Sequence, residues 1–423
     1  MRLEIGSVHI NDVRFGSETR IEDRILFIDR EELTDLLEQD TFFERVEVEL
    51  ARPRESCRII RVLDVLEPRY RLGGHNFPGA LEGMGLVGEG HTRALKNVCV
   101  VESSEVARDR SIIDMNGPAP DYSPFGGMHT LVLIPHSTPG ANVDEYRLAV
   151  KKAGLRAAVY LAATAKDMCP DDNRIYNLPP NAQTQIPKEL PRVAYIFPIH
   201  SQQHPTHPKE TVLYGSHIQG FIPSIVHPNE ILDGALMFSY SALTYFAQNH
   251  PVIEELYRRH NRDICFAGVV LTVAPVNIAE KERNALLAAR LAKHILSAEG
   301  VIATKIGGGA VDTDLMMMYQ RCEEMGMKAT LIIMERYPDT GITFVPPNVD
   351  ALVTPGLTRD AITLPPVDRV IGGDTIILDN ANPDNTDPGI PPISAKSQLR
   401  LWIGDIAGAI SQVGGSRLIT YTS

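Results

Sequence analysis

The chain has 423 residues, 43% of them hydrophobic and 22% charged, a balance that fits a globular protein and excludes intrinsic disorder. A formal charge of -12 argues against nucleic acid as the main partner, because neutralising phosphates takes a basic surface. The five cysteines are scattered without a CxxC pair, the opening MRLEIGSVHINDVRFG lacks an apolar signal core, and no run reaches the ~18 apolar residues of a membrane span, so the expectation is a cytoplasmic protein with no disulfide framework and no structural zinc knuckle.

In chain order, the segments RLEIGSVHI, RILFID, RVEVELA and CRIIRVLDVLEPRYRL read as short strands, with one short helix in REELTDLLEQD. Residues 73–130 are rich in glycine and turns, with a strand NVCVVES between them. From His129 the pattern changes to strands followed by amphipathic helices. HTLVLIP precedes the helix VDEYRLAVKKAGLRAAVYLAATA, and RVAYIFPI reads as a buried strand. Further on come CFAGVVLTVAP, a helix over 279–298, GVIATKI, the helix DTDLMMMYQRCEEMG and KATLIIME. A Pro/Asp/Asn linker then leads to a predicted last helix, SQLRLWIGDIAGAISQV.

Strand alternating with helix predicts an α/β fold with parallel, doubly wound sheet domains behind a β-rich N-terminal module, because parallel strands need crossovers. Three units are expected. Residues 1–128 form the β-rich module with Gly/Pro-rich loops, 129–260 an α/β domain with a histidine-rich loop, and 261–423 an α/β domain ending in the C-terminal helix.

Open parallel sheets bind ligands at the carboxyl ends of their strands. His136 closes LVLIPHST and His200 closes AYIFPIHSQ, so both imidazoles face one crevice if those strands are neighbours. The stretch 198–230 holds five of the thirteen histidines: His200, His204, His207, His217 and His227, followed by Glu230 and Asp233. Imidazoles with one carboxylate suit zinc or iron. The spacing matches no HExxH or helical HxxxH motif. A metal site, metal-free catalytic or substrate-binding histidines, and a plain exposed loop therefore all stay open, and His227 to Glu230 also reads as a helix start capped by Asn229. KIGGGAVDTD, at 305–314, places three glycines between a strand and a helix in the manner of a phosphate cradle, but it lacks GxGxxG and GKS/T and its two aspartates would repel phosphate, which favours a tight turn with an Asp N-cap over the cradle.

Several long, ordered stretches resemble a known family: MRLEIGSVHINDVRFG, VEVELARPRES, DVLEPRYRLGG, IIDMNGPAPDYSPF, AGLRAAVYL, PRVAYIF, HPNEILDGA, NHPVIEELYRRH, GGGAVDTDLMM and PPVDRVIGG. Over about residues 1 to 375 the chain resembles the component B proprotein of glycine, sarcosine and betaine reductase, related to the D-proline reductase proprotein. The resemblance implies self-cleavage at an internal cysteine to give a pyruvoyl group, a Schiff base with an amino acid, and reductive C–N cleavage with a partner subunit that carries a selenol or thiol. The precursor cysteine is expected between EILDGA and NHPVIEELY. Here that interval reads LMFSYSALTYFAQ, with no cysteine, and leaves only Ser239 or Ser241 as alternative precursors.

The expectation is therefore an uncleaved chain without a pyruvoyl group, in which a divalent metal, zinc or iron, serves as the replacement Lewis acid. Its ligands would come from His200, His204, His207, His217 and His227, with His136 a neighbour, Glu230 a general base or fourth ligand and Asp233 an orienting carboxylate. Such an enzyme would act, hydrolytically or reductively, on a C–N bond of a small amino-acid-like or N-heterocyclic substrate. It is expected to be oligomeric and to pair with a second subunit like the reductase's selenol- or thiol-bearing partner. The alternative is a non-catalytic scaffold subunit of such a complex.

Overall fold

The structure is a computed structural model that describes residues 1–105, 111–179, 190–201, 211–217, 220–238, 242–307, 310–334, 350–356, 359–377, 392–416 and 418–422. The elements that position the site are, in chain order, β1 (Arg2–His9), α1 (Arg30–Leu37), β2 (Phe43–Ala51), β3 (Val62–Leu66), β4 (Arg69–Leu72), β5 (Gly90–Lys96), β6 (Val98–Ser103), β7 (His129–Ser137), α2 (Val143–Ala163) and β8 (Asp172–Asn177). The second half supplies β9 (Arg192–Ser201), β10 (Ser224–Val226), α3 (Pro228–Leu232), α4 (Pro251–Arg259), β11 (Cys265–Ala274), α5 (Ile278–Arg290), β12 (Gly300–Ala303), α6 (Ala310–Glu324), β13 (Lys328–Ile332), β14 (Ala351–Thr354), β15 (Leu399–Trp402) and β16 (Ile419–Thr422).

The N-terminal half builds two four-stranded sheets, ordered β8-β1-β5-β4 and β2-β7-β6-β3. In β1 the buried Leu3, Ile5 and Val8 supply the apolar positions, and the strand runs parallel to β5 and antiparallel to β8. α2 covers these sheets. Its Asn142 cap accepts hydrogen bonds from the amides of Asp144 and Glu145 at 3.0 and 3.3 Å, and Ala153, Ala157, Leu161 and their neighbours pack against Val100, Leu131 and Leu133.

The larger sheet has seven strands, ordered β10-β11-β9-β12-β13-β14-β16. Its five inner strands are parallel and both edges antiparallel. Successive side chains of β9 point to opposite faces. Ala194 and Ile196 meet α5 and α6, while Tyr195 and Phe197 share a core with Ile253 and Leu256 of α4. Burial on both faces explains the unbroken apolar run of this strand.

The fold is thus α/β with mixed sheets. β7, predicted to open a second α/β unit, lies in an N-terminal sheet, parallel to β6 and antiparallel to β2. A continuous apolar run reports burial on two faces and carries no information on strand direction or partner. The predicted C-terminal helix is replaced by β15, a 3-10 turn at Ile403–Asp405 and a loop through Gly408, whose φ is +82°. Leu399, Leu401 and Ile403 are buried while Arg400 between them is exposed. That is a period of two, and it pairs β15 with Ala361–Leu364.

Candidate functional site

Among its parallel strands the seven-stranded sheet has the spatial order second, first, third, fourth, fifth, so the direction of winding reverses between β9 and β12. Such a reversal opens a crevice at the carboxyl ends of the strands. Beneath it, Tyr195 of β9, Thr304 just past β12 and His250, which precedes α4, form a buried polar group. Tyr195 Oη lies 2.5 Å from Thr304 Oγ1 and 3.3 Å from His250 Nε2. Burial pushes the His250 imidazole down to about 3 and the Tyr195 phenol well above its ordinary value, so both are neutral. His250 Nδ1 meets no hydrogen-bond partner among the described residues.

Beside this group, the buried Lys305 pairs with Asp312 and donates to the Gly307 carbonyl at 3.0 Å. Asp314, in the first turns of α6, pairs with Lys281 of α5, and burial raises its carboxyl to about 6. The GGGAVDTD stretch therefore sets its carboxylates against lysines, and neither aspartate acts as the helix cap that the sequence suggested. Two ion pairs fix the start of α6.

His227, Glu230 and Asp233 do come together, around α3, in structural roles. His227 precedes the helix; its Nδ1 accepts from the Asn229 amide at 3.2 Å and its Nε2 donates to the Leu178 carbonyl at 3.0 Å. Both ring nitrogens are engaged, and burial lowers the imidazole's pKa. Glu230 closes a capping box by accepting from the His227 amide at 2.8 Å, and its other oxygen accepts from Tyr214 Oη at 2.5 Å. Asp233 accepts from the Gly88 amide at 2.7 Å and Thr92 Oγ1 at 2.6 Å, and it pairs with Arg71. Burial raises the Asp233 carboxyl, and Arg71 opposes the rise. These bonds clamp α3 onto the N-terminal strands. Gly88, at φ +90°, makes the close approach possible, because a Cβ there would lie 2.9 Å from the Glu230 amide nitrogen.

His136 and His200 do not share a crevice by way of adjacent strands: β7 and β9 belong to different sheets. His136 Nε2 instead lies 3.0 Å from Glu47 Oε1 of β2. The backbone of His200 and of His217 is described, in β9 and in Ser216–His217, but their side chains are not; His204 and His207 lie outside the described residues altogether. Among the described residues there is no group of three or more His, Cys, Asp or Glu side chains placed to hold a metal ion.

Sequence reading missed a buried ionic group: Asp64 of β3, Glu102 of β6, Lys151 of α2 and Thr244. Lys151 pairs with Asp64 and lies 3.2 Å from Glu102 Oε1. Glu102 is fully buried, and desolvation lifts its carboxyl to about 8 against the pull of Lys151. The signal was present in VLDVL and VVES, where an acid interrupts an apolar run, and in Lys151 lying on one helical row with Leu155, Ala158 and Ala162.

A pyruvoyl precursor of the expected kind does not fit the chain. No cysteine occurs between Asp233 and His250; Cys57, Cys99, Cys265 and Cys322 are buried thiols elsewhere, and the exposed Cys169 follows α2.

The model of the glycine/sarcosine/betaine reductase component B subunits matches residues 1–387. The glycine reductase complex component B subunits alpha and beta of Acetoanaerobium sticklandii are 33% identical over all of both chains. The sarcosine reductase complex component B subunit alpha of Peptoclostridium acidaminophilum is 35% identical over 88% of this chain and 89% of its own, and the betaine reductase counterpart of that organism is 30% identical over 88% of each. No solved structure matches the chain. With a family model spanning its first 387 residues and a full-length relative at 33% identity, this chain belongs to the family of glycine, sarcosine and betaine reductase component B subunits.

Proposed function

We propose that the chain is the substrate-handling subunit of an amino-acid-reductase-like complex, acting at a C–N bond of a small amino-acid-like substrate without a pyruvoyl group. The carrying observation is the cysteine-free interval between Asp233 and His250 in a chain that one glycine reductase component B relative matches over its whole length. In this reading His200, His204, His207 and His217 hold a divalent metal, zinc or iron, that supplies Lewis acidity. His227, Glu230 and Asp233 are hydrogen-bonded around α3 and hold the site's support in place. The partner is a second subunit bearing a selenol or thiol, and the cleavage is reductive when that partner supplies electrons and hydrolytic when water does.

The same hydrogen bonding of His227, Glu230 and Asp233 favours a second reading, a non-catalytic scaffold that docks the partner subunit. Two measurements on untagged, natively purified protein separate the cases. The metal reading expects about one tightly bound divalent ion per chain by elemental analysis, and less than about half an equivalent counts against it. Intact mass is expected at 46.6 kDa; a much lighter species would restore self-processing at Ser239 or Ser241.

A further inference from the structure

Sheet pairing sets Asp64 of β3 opposite Glu102 of β6, and both are fully buried. On the other side of Glu102, β7 presents the apolar Leu133. α2 closes the face with Lys151 and with Gly154, where a Cβ would lie 2.2 Å from Glu102 Oε1. Two buried carboxylates therefore share one ammonium.

The number of donors divides them. Asp64 pairs with Lys151 and also accepts from the Val65 amide at 2.8 Å, the Thr244 amide at 2.7 Å and the Thr244 hydroxyl at 2.5 Å. Glu102 has Lys151, 3.2 Å from its Oε1, while its Oε2 meets no hydrogen-bond partner among the described residues. A buried carboxyl with so few donors takes up a proton, because its charged form is the one that burial disfavours. Asp64 keeps the negative charge, Glu102 holds the proton, and the group is neutral as a whole.

Thr244 links this group to another part of the chain. It stands at the N-cap of the short helix Tyr245–Gln248, yet its side chain makes no capping bond there. Its hydroxyl donates to Asp64 instead and accepts from the Phe238 amide at 3.0 Å. One side chain thus ties Phe238 and Thr244, both in the cysteine-free interval, to β3. α2 is held along its length by the apolar core, and β6 is paired on both sides. The bonds at Thr244 are the part of the assembly that can open without unfolding the sheets.

We propose that Asp64, Lys151 and Glu102 form a proton-operated latch on Thr244 and Phe238. The closed latch holds the proton on Glu102; opening at Thr244 lets water reach the carboxyl, which releases it. Opening therefore becomes easier as pH rises. The charged groups that face Glu102 are Lys151 from α2 and Asp64 from β3, and β7 adds none. Burial carries the closed-state carboxyl from 4.5 to about 8. The latch is accordingly tightest near about pH 5, loosens as pH rises, and levels off above about pH 8. It needs neither a metal nor turnover, so it goes beyond both readings of the function and holds or fails apart from them.

The test is hydrogen exchange of the full chain, read by mass spectrometry on peptides covering Thr244 and, in β9, Ile196. Protection is the intrinsic exchange rate divided by the observed one, which removes the ordinary effect of pH on exchange. Because the Thr244 amide donates to Asp64, its protection reads the latch directly. It is expected to fall at least about tenfold between about pH 6 and pH 8, and at about pH 8 to lie at least about tenfold below that of Ile196. In Glu102→Gln, which is neutral throughout, Thr244 protection should not change with pH. Glu102→Leu, also neutral, serves if the amide variant fails to fold. The proposal is overturned if Thr244 protection in the wild type is constant over this range, if the neutral variant shows the same decline, or if Thr244 is as protected as Ile196 and so exchanges only on global unfolding.

Discussion

Thr244 donates its backbone N–H to Asp64 Oδ1 at 2.7 Å and its hydroxyl to Asp64 Oδ2 at 2.5 Å, a bond across 180 residues of chain. Asp64 also pairs with Lys151, which α2 carries into the interior. Removing its charge leaves a buried ammonium facing Glu102 alone. Breaking such a pair costs about 3–5 kcal/mol. Asp64→Asn is expected to lower the urea midpoint accordingly, and adding Lys151→Met should recover part of the loss, since the second change removes the orphaned charge. A cost under about 1 kcal/mol for Asp64→Asn would show that the group carries little.

The same group makes stability depend on pH in a direction opposite to most carboxylates. Desolvation raises the folded pKa of Glu102 from 4.5 to about 8. Between those values the folded chain holds a proton that the unfolded chain has released, so stability falls as pH rises from 5 to 8 and levels off above. Glu102→Gln mimics the protonated side chain. Its stability should exceed that of the wild type increasingly toward pH 8, measured as the difference in urea midpoints at pH 5, 6.5 and 8. A constant difference across that range would place the titrating proton elsewhere.

At α3 the expected effect of His227→Ala is structural. The substitution removes the acceptor for the Asn229 amide and the donor to the Leu178 carbonyl. Loss of an N-cap costs about 0.5–2 kcal/mol. The unfolding midpoint should drop by that much while bound metal per chain, by elemental analysis, stays at the wild-type level. Loss of metal together with unchanged stability would return His227 to the ligand set.

Much of this architecture was legible in the chain. The runs RLEIGSVHI, NVCVVES, HTLVLIP and RVAYIFPI fall on β1, β6, β7 and β9, and the Asn142-capped helix is α2. Strand and helix periods are local properties, carried by residues two or four apart. Sheet membership is set by pairings such as Thr130 with Ala51, far apart in sequence, and no local pattern encodes those. The C-terminal segment misled because IGDIAGAI has helix-like apolar spacing, while Gly404 and Gly408 and the alternation of Leu399 and Leu401 favoured a strand and turn. At the site, HPNEIL was readable as a helix start. The engagement of both His227 nitrogens was not, because one partner, the Leu178 carbonyl, comes from 49 residues upstream.

Arg58 ties that same C-terminal segment to the N-terminal half. It is fully buried, donates through Nε to Asp114 Oδ2 at 2.9 Å, and reaches the carbonyls of Ala395, Ser397 and Pro365 at 2.6, 3.0 and 2.7 Å. Burial raises the Asp114 carboxyl above its ordinary value, and Arg58 only partly offsets the rise. A lysine keeps the charge but presents its three donors from one atom, which cannot span a carboxylate and three carbonyls drawn from two separate segments. Each unmet hydrogen bond to a buried polar group costs about 1–3 kcal/mol. Arg58→Lys is therefore expected to release the region 392–413 before the rest of the fold, so that limited proteolysis clips it much faster than in the wild type while the N-terminal half stays resistant. Equal cleavage rates in the two proteins would mean that the apolar contacts of Leu399, Leu401 and Ile403 hold the segment without the guanidinium.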